Sequence, residues 1–119
     1  MFADEIREYL LSKPGATEEQ PFGPDVLVYK IRGKMFATLG VDDHDGLGRS
    51  NLKCDPDRAE TLREEHEAIL PGYHMNKRHW NTLVLDGSLS SRLIQDLVDH
   101  SYDLVVAKLP RKVREELTS

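Results

Sequence analysis

The stretch VLVYKIRGKMFATLGV, residues 26–41, decides the fold of this chain because it contains two strand patterns around a tight turn. Residues 26–31 are apolar and rich in β-branched side chains, residues 32–34 are typical of a turn, and residues 35–41 are again mostly apolar. Two strands joined by so short a turn pair antiparallel, so we expect a β-hairpin. Residues 50–54 alternate in polarity and predict a third strand.

Four helices are predicted around these strands. The second begins at Asp55, a capping residue followed by proline at the first helical position. Pro110 ends the third, because proline lacks the amide hydrogen that a helix interior needs. The predicted helices cover residues 2–12, residues 55 to about 68, a stretch that starts at Ser88 or Ser90, and residues 111–117.

The order of these elements is α-β-β-β-α-β-β-α-α, with a strand, a short turn and a strand over residues 71–86. This order predicts an α+β domain over residues 1–119, with a single antiparallel sheet and helices packed on one face. We expect one core that contains Leu62, Leu83, Leu85, Leu93 and Leu97, and a first helix that turns Phe2, Ile6, Tyr9 and Leu10 to one face.

Composition places the chain among globular proteins, with 39% hydrophobic and 31% charged residues. Its 21 acidic and 16 basic residues give a net charge of −5, which disfavours indiscriminate binding to nucleic acid or anionic membranes. The single cysteine, Cys54, excludes an internal disulfide and multi-cysteine zinc patterns. The acidic N-terminus is unlike a signal peptide and no apolar run is long enough to span a membrane, so we expect a cytoplasmic protein.

The local charge reverses between Glu67 and Asp86, where no acidic residue occurs. The segment PGYHMNKRHWNT, residues 71–82, mixes cations, histidines, asparagines and aromatic rings, a combination that suits a polyanion. We predict that Lys77 and Arg78 contact phosphates and that Asn76 and Asn81 hydrogen-bond base edges or backbone. His74 and His79 belong to the same candidate surface, and Tyr73 or Trp80 could stack on a base.

A structural interpretation of the same segment is also open. Trp80 and Met75 could be core, and Asn76 could cap the turn or occupy a left-handed position. Lys77 and Arg78 could form an ordinary solvated turn. We expect Trp80 to be buried, with Arg78 and His79 as its exposed neighbours.

A second basic group lies near the C-terminus. It consists of Lys108, Arg111, Lys112 and Arg114, and we predict Lys112 and Arg114 as auxiliary phosphate contacts. The structural alternative is a solvated helix with i,i+4 pairs such as Arg111–Glu115. If both basic groups are adjacent in the fold, they form one positive face.

No pattern for catalysis, a cofactor or a metal is found. His74 and His79 have no local third ligand, and residues 42–46 (DDHDG) lack calcium-loop spacing, which favours a solvated loop. No serine lies in a nucleophile elbow, and residues 45–50 lack the Gly-Lys-Ser/Thr of a phosphate loop. Cys54 is either a buried hydrophobe or a thiol activated by the helix start that follows it. We therefore expect no enzyme activity.

Six ordered segments, spread over nearly the full chain, carry a resemblance to a known family. They are LSKPGAT (11–17), PFG (21–23), GKMFA (33–37), LKCDP (52–56), PGYHMNKRHWNT (71–82) and SYDLV (101–105). With these segments the chain resembles the YjbR/MmcQ family of small bacterial proteins. The resemblance implies an α/β sandwich similar to the frataxin and secretion-chaperone folds. It also implies DNA binding, commonly described for this family with a double-wing arrangement of hairpins.

Two functions follow as hypotheses. The first is a monomeric nucleic-acid-binding module, for DNA or RNA, that uses the basic turn and needs no cofactor and no membrane. The second is a protein-interaction adaptor, suggested by the secretion-chaperone resemblance. A large apolar patch on the open face of the sheet would favour the adaptor, and a continuous positive face would favour nucleic acid.

Overall fold

The computed structural model describes residues 1–41 and 45–118. The predicted solvated loop therefore lies partly outside the described residues, at positions 42–44. The helices are α1 (Ala3–Ser12), α2 (Pro56–Glu65), α3 (Ser91–Val106) and α4 (Arg111–Thr118). The strands are β1 (Ala16–Glu19), β2 (Val26–Ile31), β3 (Lys34–Val41), β4 (Gly48–Lys53), β5 (Ile69–Pro71) and β6 (Trp80–Leu85).

The strands form one antiparallel sheet in the order β1-β2-β3-β4-β6-β5, which confirms the predicted α+β fold. Alternate strand residues turn to the two faces of the sheet. Helix α3 lies against β3 and β4, α1 against β1 and β3, and α2 against β5 and β6. The opposite face is open, and we call it the outer face.

The core lies between the sheet and the helices. Four of the predicted leucines, Leu62, Leu83, Leu85 and Leu97, are buried in it, and Leu93 is partly buried against it. In α1 the side chains of Ile6 and Leu10 are buried as expected. Phe2 is instead mostly exposed, because it is the N-cap residue and precedes the helix whose face it was expected to join.

Capping fixes the starts of two helices. The Asp55 carboxylate accepts a 3.4 Å hydrogen bond from the Arg58 amide, and the Ser90 hydroxyl accepts one of 3.1 Å from the Leu93 amide. Helix α2 ends at Glu65, earlier than predicted. The chain is extended beyond this point because the Ala68 carbonyl accepts a 2.8 Å bond from the Val84 amide and draws the segment into the sheet.

Two strand predictions need correction. Strand β1 is additional, since its sequence Ala-Thr-Glu-Glu has no apolar alternation and forms by pairing with β2. The strand expected at the start of residues 71–86 ends at Pro71, and residues 72–79 form a non-strand connection to β6, called the 72–79 segment below. Beyond Gly72, the amides of Tyr73, Met75, Arg78 and His79 bond to side chains or to carbonyls within the segment.

The register brings several connections to one end of the sheet. Ile31 pairs with Lys34 beside the β2–β3 turn, Lys53 pairs with Trp80, and Pro71 pairs with Asn81. The β2–β3 turn, the end of β4 and the 72–79 segment therefore share one end, and the residues after α3 reach it too. We call it the basic end. In the described part of the chain, no helix has the length and apolar character needed to cross a membrane.

Candidate nucleic-acid interface

The 72–79 segment is held at both of its ends. The Gly72 amide donates a 2.9 Å hydrogen bond to the Trp80 carbonyl, and the His79 carbonyl accepts one of 2.8 Å from the Cys54 amide. Gly72 is required by a close approach, because a Cβ added there would lie 2.7 Å from the Trp80 Cβ. The segment is thus clamped against β4 and β6.

Within the segment, Asn76 organises the turn. Its Oδ1 accepts a 2.9 Å hydrogen bond from the Arg78 amide, and its carbonyl accepts one of 3.2 Å from the His79 amide. This is the capping role that the structural interpretation described, and it engages the Asn76 oxygen that a base edge would otherwise contact.

The two cations of the turn differ in their surroundings. The Lys77 ammonium donates a 3.2 Å hydrogen bond to the Gly72 carbonyl, which leaves two of its three donors for a ligand. The Lys77 carbonyl in turn accepts a 2.8 Å bond from the Arg63 guanidinium of α2. Arg78 is exposed, and its guanidinium has no ion pair with the residues that the structure describes. Arg63 is a basic neighbour that the sequence pattern did not reveal.

Trp80 is buried, as predicted, with 9% of its surface exposed. It starts β6 opposite Lys53, and the 72–79 segment packs beside it through Gly72. Its neighbours Arg78 and His79 are exposed, also as expected. Asn81 is not available to a ligand, because it is buried and its Nδ2 donates a 3.3 Å hydrogen bond to the Ala59 carbonyl of α2.

A second pair of cations, Lys53 and Lys108, lies at the same end. The Lys53 amide donates a 2.9 Å hydrogen bond to the Ser101 hydroxyl of α3, and Lys108 follows α3 directly. Burial, together with the nearby Lys108 charge, lowers the pKa of the Lys53 amine. An anion placed between these ammonium groups would relieve their repulsion.

The C-terminal cations are also at the basic end, but they lie near β2, on the opposite edge from the 72–79 segment. Helix α4 is tied to the β2–β3 turn by a 3.0 Å ion pair between Arg32 and Glu116. This contact puts the exposed Lys112 and Arg114 near β2, whereas the 72–79 segment follows β5. The predicted Arg111–Glu115 pair is present at 3.1 Å. The two basic groups therefore do not form one cluster, and Lys53 and Lys108 supply cations between them.

Comparison with known proteins identifies the family. A sequence model of the family described as YjbR matches residues 11–104. The chain belongs to the YjbR family. It is 36% identical over 117 residues to the Escherichia coli protein YjbR, covering 98% of both chains. It is 38% identical over 92 residues to the Escherichia coli protein YbdF, covering 77% of this chain and 74% of YbdF.

Solved structures agree with the YjbR assignment. A crystal structure of a Deinococcus radiodurans protein superposes with a TM-score of 0.88 at 36% identity, covering 98% of this chain and 88% of the other. A crystal structure of a Pseudomonas syringae protein gives a TM-score of 0.77 at 28% identity, covering 87% and 98%. These names state neither a ligand nor a reaction.

The far end of the sheet in this YjbR-family chain is acidic. Arg49 and the Leu47 amide lower the pKa of Asp45 to about 2, and the Ser88 hydroxyl and amide lower the pKa of Asp86. Asp4 and Glu5 lie in the first turn of α1, which starts at this end beside Gly48. These four carboxylates therefore lie at the end of the sheet opposite the basic end.

The remaining reactive groups are occupied or shielded. Burial raises the pKa of the Cys54 thiol, which matches a buried hydrophobe rather than an activated nucleophile. His100 accepts a 3.1 Å hydrogen bond from the Asp55 amide at Nε2, and burial lowers its pKa. His74 and His79 are both exposed in the 72–79 segment. No group of three or more His, Cys, Asp or Glu side chains within residues 1–41 and 45–118 is arranged to bind a metal ion.

Proposed function

We propose that this YjbR-family protein binds nucleic acid through the basic end of its sheet. The observation that carries the proposal is the approach of cations from separate parts of the chain to that one end, all of them exposed except the half-buried Lys53. Lys77 and Arg78 come from the 72–79 segment, Lys53 from β4, and Lys108 from the end of α3. Lys112 and Arg114 are auxiliary contacts farther along the same end.

Phosphate charge is the chemistry that such an arrangement recognises. Each phosphate neutralised by a cation releases a counterion, so the affinity falls steeply as salt rises. The overall charge of −5 opposes binding, and we therefore expect modest affinity that is measurable at low salt. Removing one phosphate contact should reduce the slope of log affinity against log salt by about one.

The centre of the outer face is polar, which supports nucleic acid more than the adaptor. The register aligns Thr38, Asn51 and Thr82 in one row across the middle of that face. The Asn51 amide and the Thr82 hydroxyl are joined to neighbouring strands by hydrogen bonds. The row continues into the buried Val28 on β2 and the exposed Leu70 on β5, so its polar part is confined to the centre, where a peptide-binding face would present apolar side chains.

The proposal makes the protein a monomeric binding module and not an enzyme. The thiol of Cys54 is buried, and the hydroxyls of Ser50 and Ser101 are buried and donate to backbone carbonyls at 2.8 Å and 2.5 Å. These are structural roles, and none of the three groups faces the basic end as an exposed nucleophile.

Fluorescence anisotropy with labelled DNA and RNA oligonucleotides at low salt tests the proposal. We expect the double variant Lys77→Ala/Arg78→Ala to bind more weakly than the parent and with a smaller salt slope. Arg92→Ala is a matched control, because Arg92 is exposed in the first turn of α3, at the opposite end of the sheet. Absence of binding by the parent, or equal losses in the double variant and the control, would refute the proposal.

A further inference from the structure

Tyr73 is the exposed aromatic residue of the 72–79 segment, with 65% of its surface accessible. Trp80, the other candidate for stacking in this part of the sequence, is buried beside Gly72. An exposed tyrosine ring contributes nothing to the core described above. Its position beside the cations of the basic end therefore needs another explanation.

The backbone of Tyr73 is fixed on both sides by the outer face of the sheet. Its amide donates a 2.9 Å hydrogen bond to the Thr82 hydroxyl of β6, and its carbonyl accepts one of 3.2 Å from the Asn51 amide group of β4. The Thr82 hydroxyl donates to Asn51 Oδ1, and the Asn51 main-chain amide donates to the Thr38 hydroxyl at 3.3 Å. Side chains from β4 and β6 thus hold one exposed residue, and Thr38 of β3 supports Asn51 from the other side.

The next residue completes a pair of rings. His74 has a φ of 59°, a left-handed conformation that costs energy for a residue with a side chain. This conformation sets its imidazole against the Tyr73 ring, with ring centroids 4.0 Å apart and planes inclined by 46°. The hydrogen bonds to Thr82 and Asn51 fix the backbone of Tyr73 on which this ring pair is carried.

A cation is bound to the peptide group that precedes the ring pair. The Lys77 ammonium is 3.2 Å from the carbonyl oxygen of Gly72, the carbonyl whose peptide bond continues into Tyr73. An exposed ring and an ammonium group within one short segment match the two chemical parts of a nucleotide, a base with a π-face and a phosphate. The face of a base is accessible only when the base is unpaired and unstacked, whereas a duplex covers it.

We propose that Tyr73, supported by His74, is a stacking platform for an unpaired base, so that the preferred ligand is single-stranded nucleic acid. This inference rests on the proposed function, since Lys77 and Arg78 hold the adjacent phosphates. Tyr73 supplies contact with a base, and the cations supply contact with the backbone. The row of Thr38, Asn51 and Thr82 positions the platform.

The test separates bases from phosphates. Labelled thymine single strands are compared with strands of equal length whose central sugars are abasic, which keep the phosphates, and with a duplex of equal length. We expect the parent to bind the thymine strand about 5- to 150-fold more tightly than the abasic strand, the range for stacking of one base on one ring. Tyr73→Ala should remove this preference without changing affinity for the abasic strand, and Tyr73→Phe should retain it.

The outcomes also distinguish this inference from the proposed function. Arg78→Ala should weaken binding to the thymine and abasic strands by the same factor. Equal binding of the two strands by the parent, or an unchanged preference in Tyr73→Ala, would overturn the platform while leaving phosphate binding in place. Tighter binding of the duplex than of the thymine strand would overturn the single-strand preference. No binding of any strand at low salt would overturn both proposals.

Discussion

Replacing Ser101 by alanine tests how the basic end is built. The buried Ser101 hydroxyl donates a 2.5 Å hydrogen bond to the Phe36 carbonyl and accepts one of 2.9 Å from the Lys53 amide. The register that pairs Ala37 with Leu52 would place Phe36 opposite Lys53 if it continued by one residue. A side chain from α3 therefore bridges β3 and β4 where their direct pairing stops.

Ser101→Ala leaves the Lys53 amide and the Phe36 carbonyl without this partner. A buried polar group left unsatisfied costs about 1–3 kcal/mol. Because the Lys53 amide is only partly buried, we expect the free energy of unfolding to fall by about 2–4 kcal/mol, which is less than two full penalties. For a chain of this length that corresponds to a melting temperature lower by about 3–5 °C for each kcal/mol.

Urea unfolding followed by tryptophan fluorescence measures this loss, because Trp80 is the single tryptophan and is buried. Ser12→Ala is the matched control. The Ser12 hydroxyl donates to the Tyr9 carbonyl at 2.6 Å on the exposed side of α1, and its loss should change stability by less than about 0.5 kcal/mol. A loss as small in Ser101→Ala would refute the reasoning, since it would mean that β3 and β4 close and pair directly.

Four further predictions concern stability. Leu97→Ala should lower the free energy of unfolding by about 2–5 kcal/mol, because the side chain is 3% exposed in the core; an unchanged urea midpoint would contradict this. Trp80→Ala should cost about 3–5 kcal/mol in thermal melts and Trp80→Phe less, and an alanine variant that melts like the parent but no longer binds nucleic acid would make Trp80 a contact residue instead. Gly72→Ala should cost about 1–3 kcal/mol, because its Cβ would meet the Trp80 carbonyl oxygen at 2.8 Å; a melt identical to the parent's would disprove the close approach. The Arg7 guanidinium lowers the pKa of Glu18, so the pair stabilises the fold above the ordinary carboxylate pKa, and this stabilisation is lost as pH falls through the lowered pKa. Glu18→Gln should therefore be less stable than the parent at neutral pH, and the difference should disappear in strong acid. A difference in stability that does not depend on pH would exclude this linkage.

Most of the fold follows from local sequence patterns, because strands, turns and helix caps depend on residues that are neighbours in the sequence. Residues 26–41 form β2 and β3 with the expected turn, and Asp55 caps α2 as predicted. Strand β1, which was not predicted, shows no such local pattern. It consists of four polar or small residues and exists because Ala16 and its neighbours pair with β2 at the edge of the sheet. Pairing between distant segments also determines where β5 ends.

The candidate site likewise has features that local sequence predicts and features that depend on long-range pairing. The exposure of Lys77 and Arg78 follows from their place in a turn, which the sequence indicated. Lys53 lies at the same end of the sheet as these two residues only because β4 pairs with β6. This pairing joins distant parts of the chain and cannot be predicted from local sequence patterns. The sequence predicts the burial of Trp80 because large aromatic residues dominate cores, whereas the exposure of Tyr73 depends on β6 beginning at Trp80 and leaving Tyr73 outside the strand.

The charge distribution explains how a chain of net charge −5 could bind a polyanion. Binding rate and orientation depend on the local potential at the surface that is approached, and not on the net charge alone. Carboxylates such as Asp45 and Asp86 lie at the far end of the sheet, and their lowered pKa values keep them ionised. In the proposed function this far end repels nucleic acid and the basic end attracts it, so encounters are oriented toward Tyr73 and Arg78. In the proposed function, the far-end carboxylates disfavour the other orientations and so add selectivity at the expense of overall affinity.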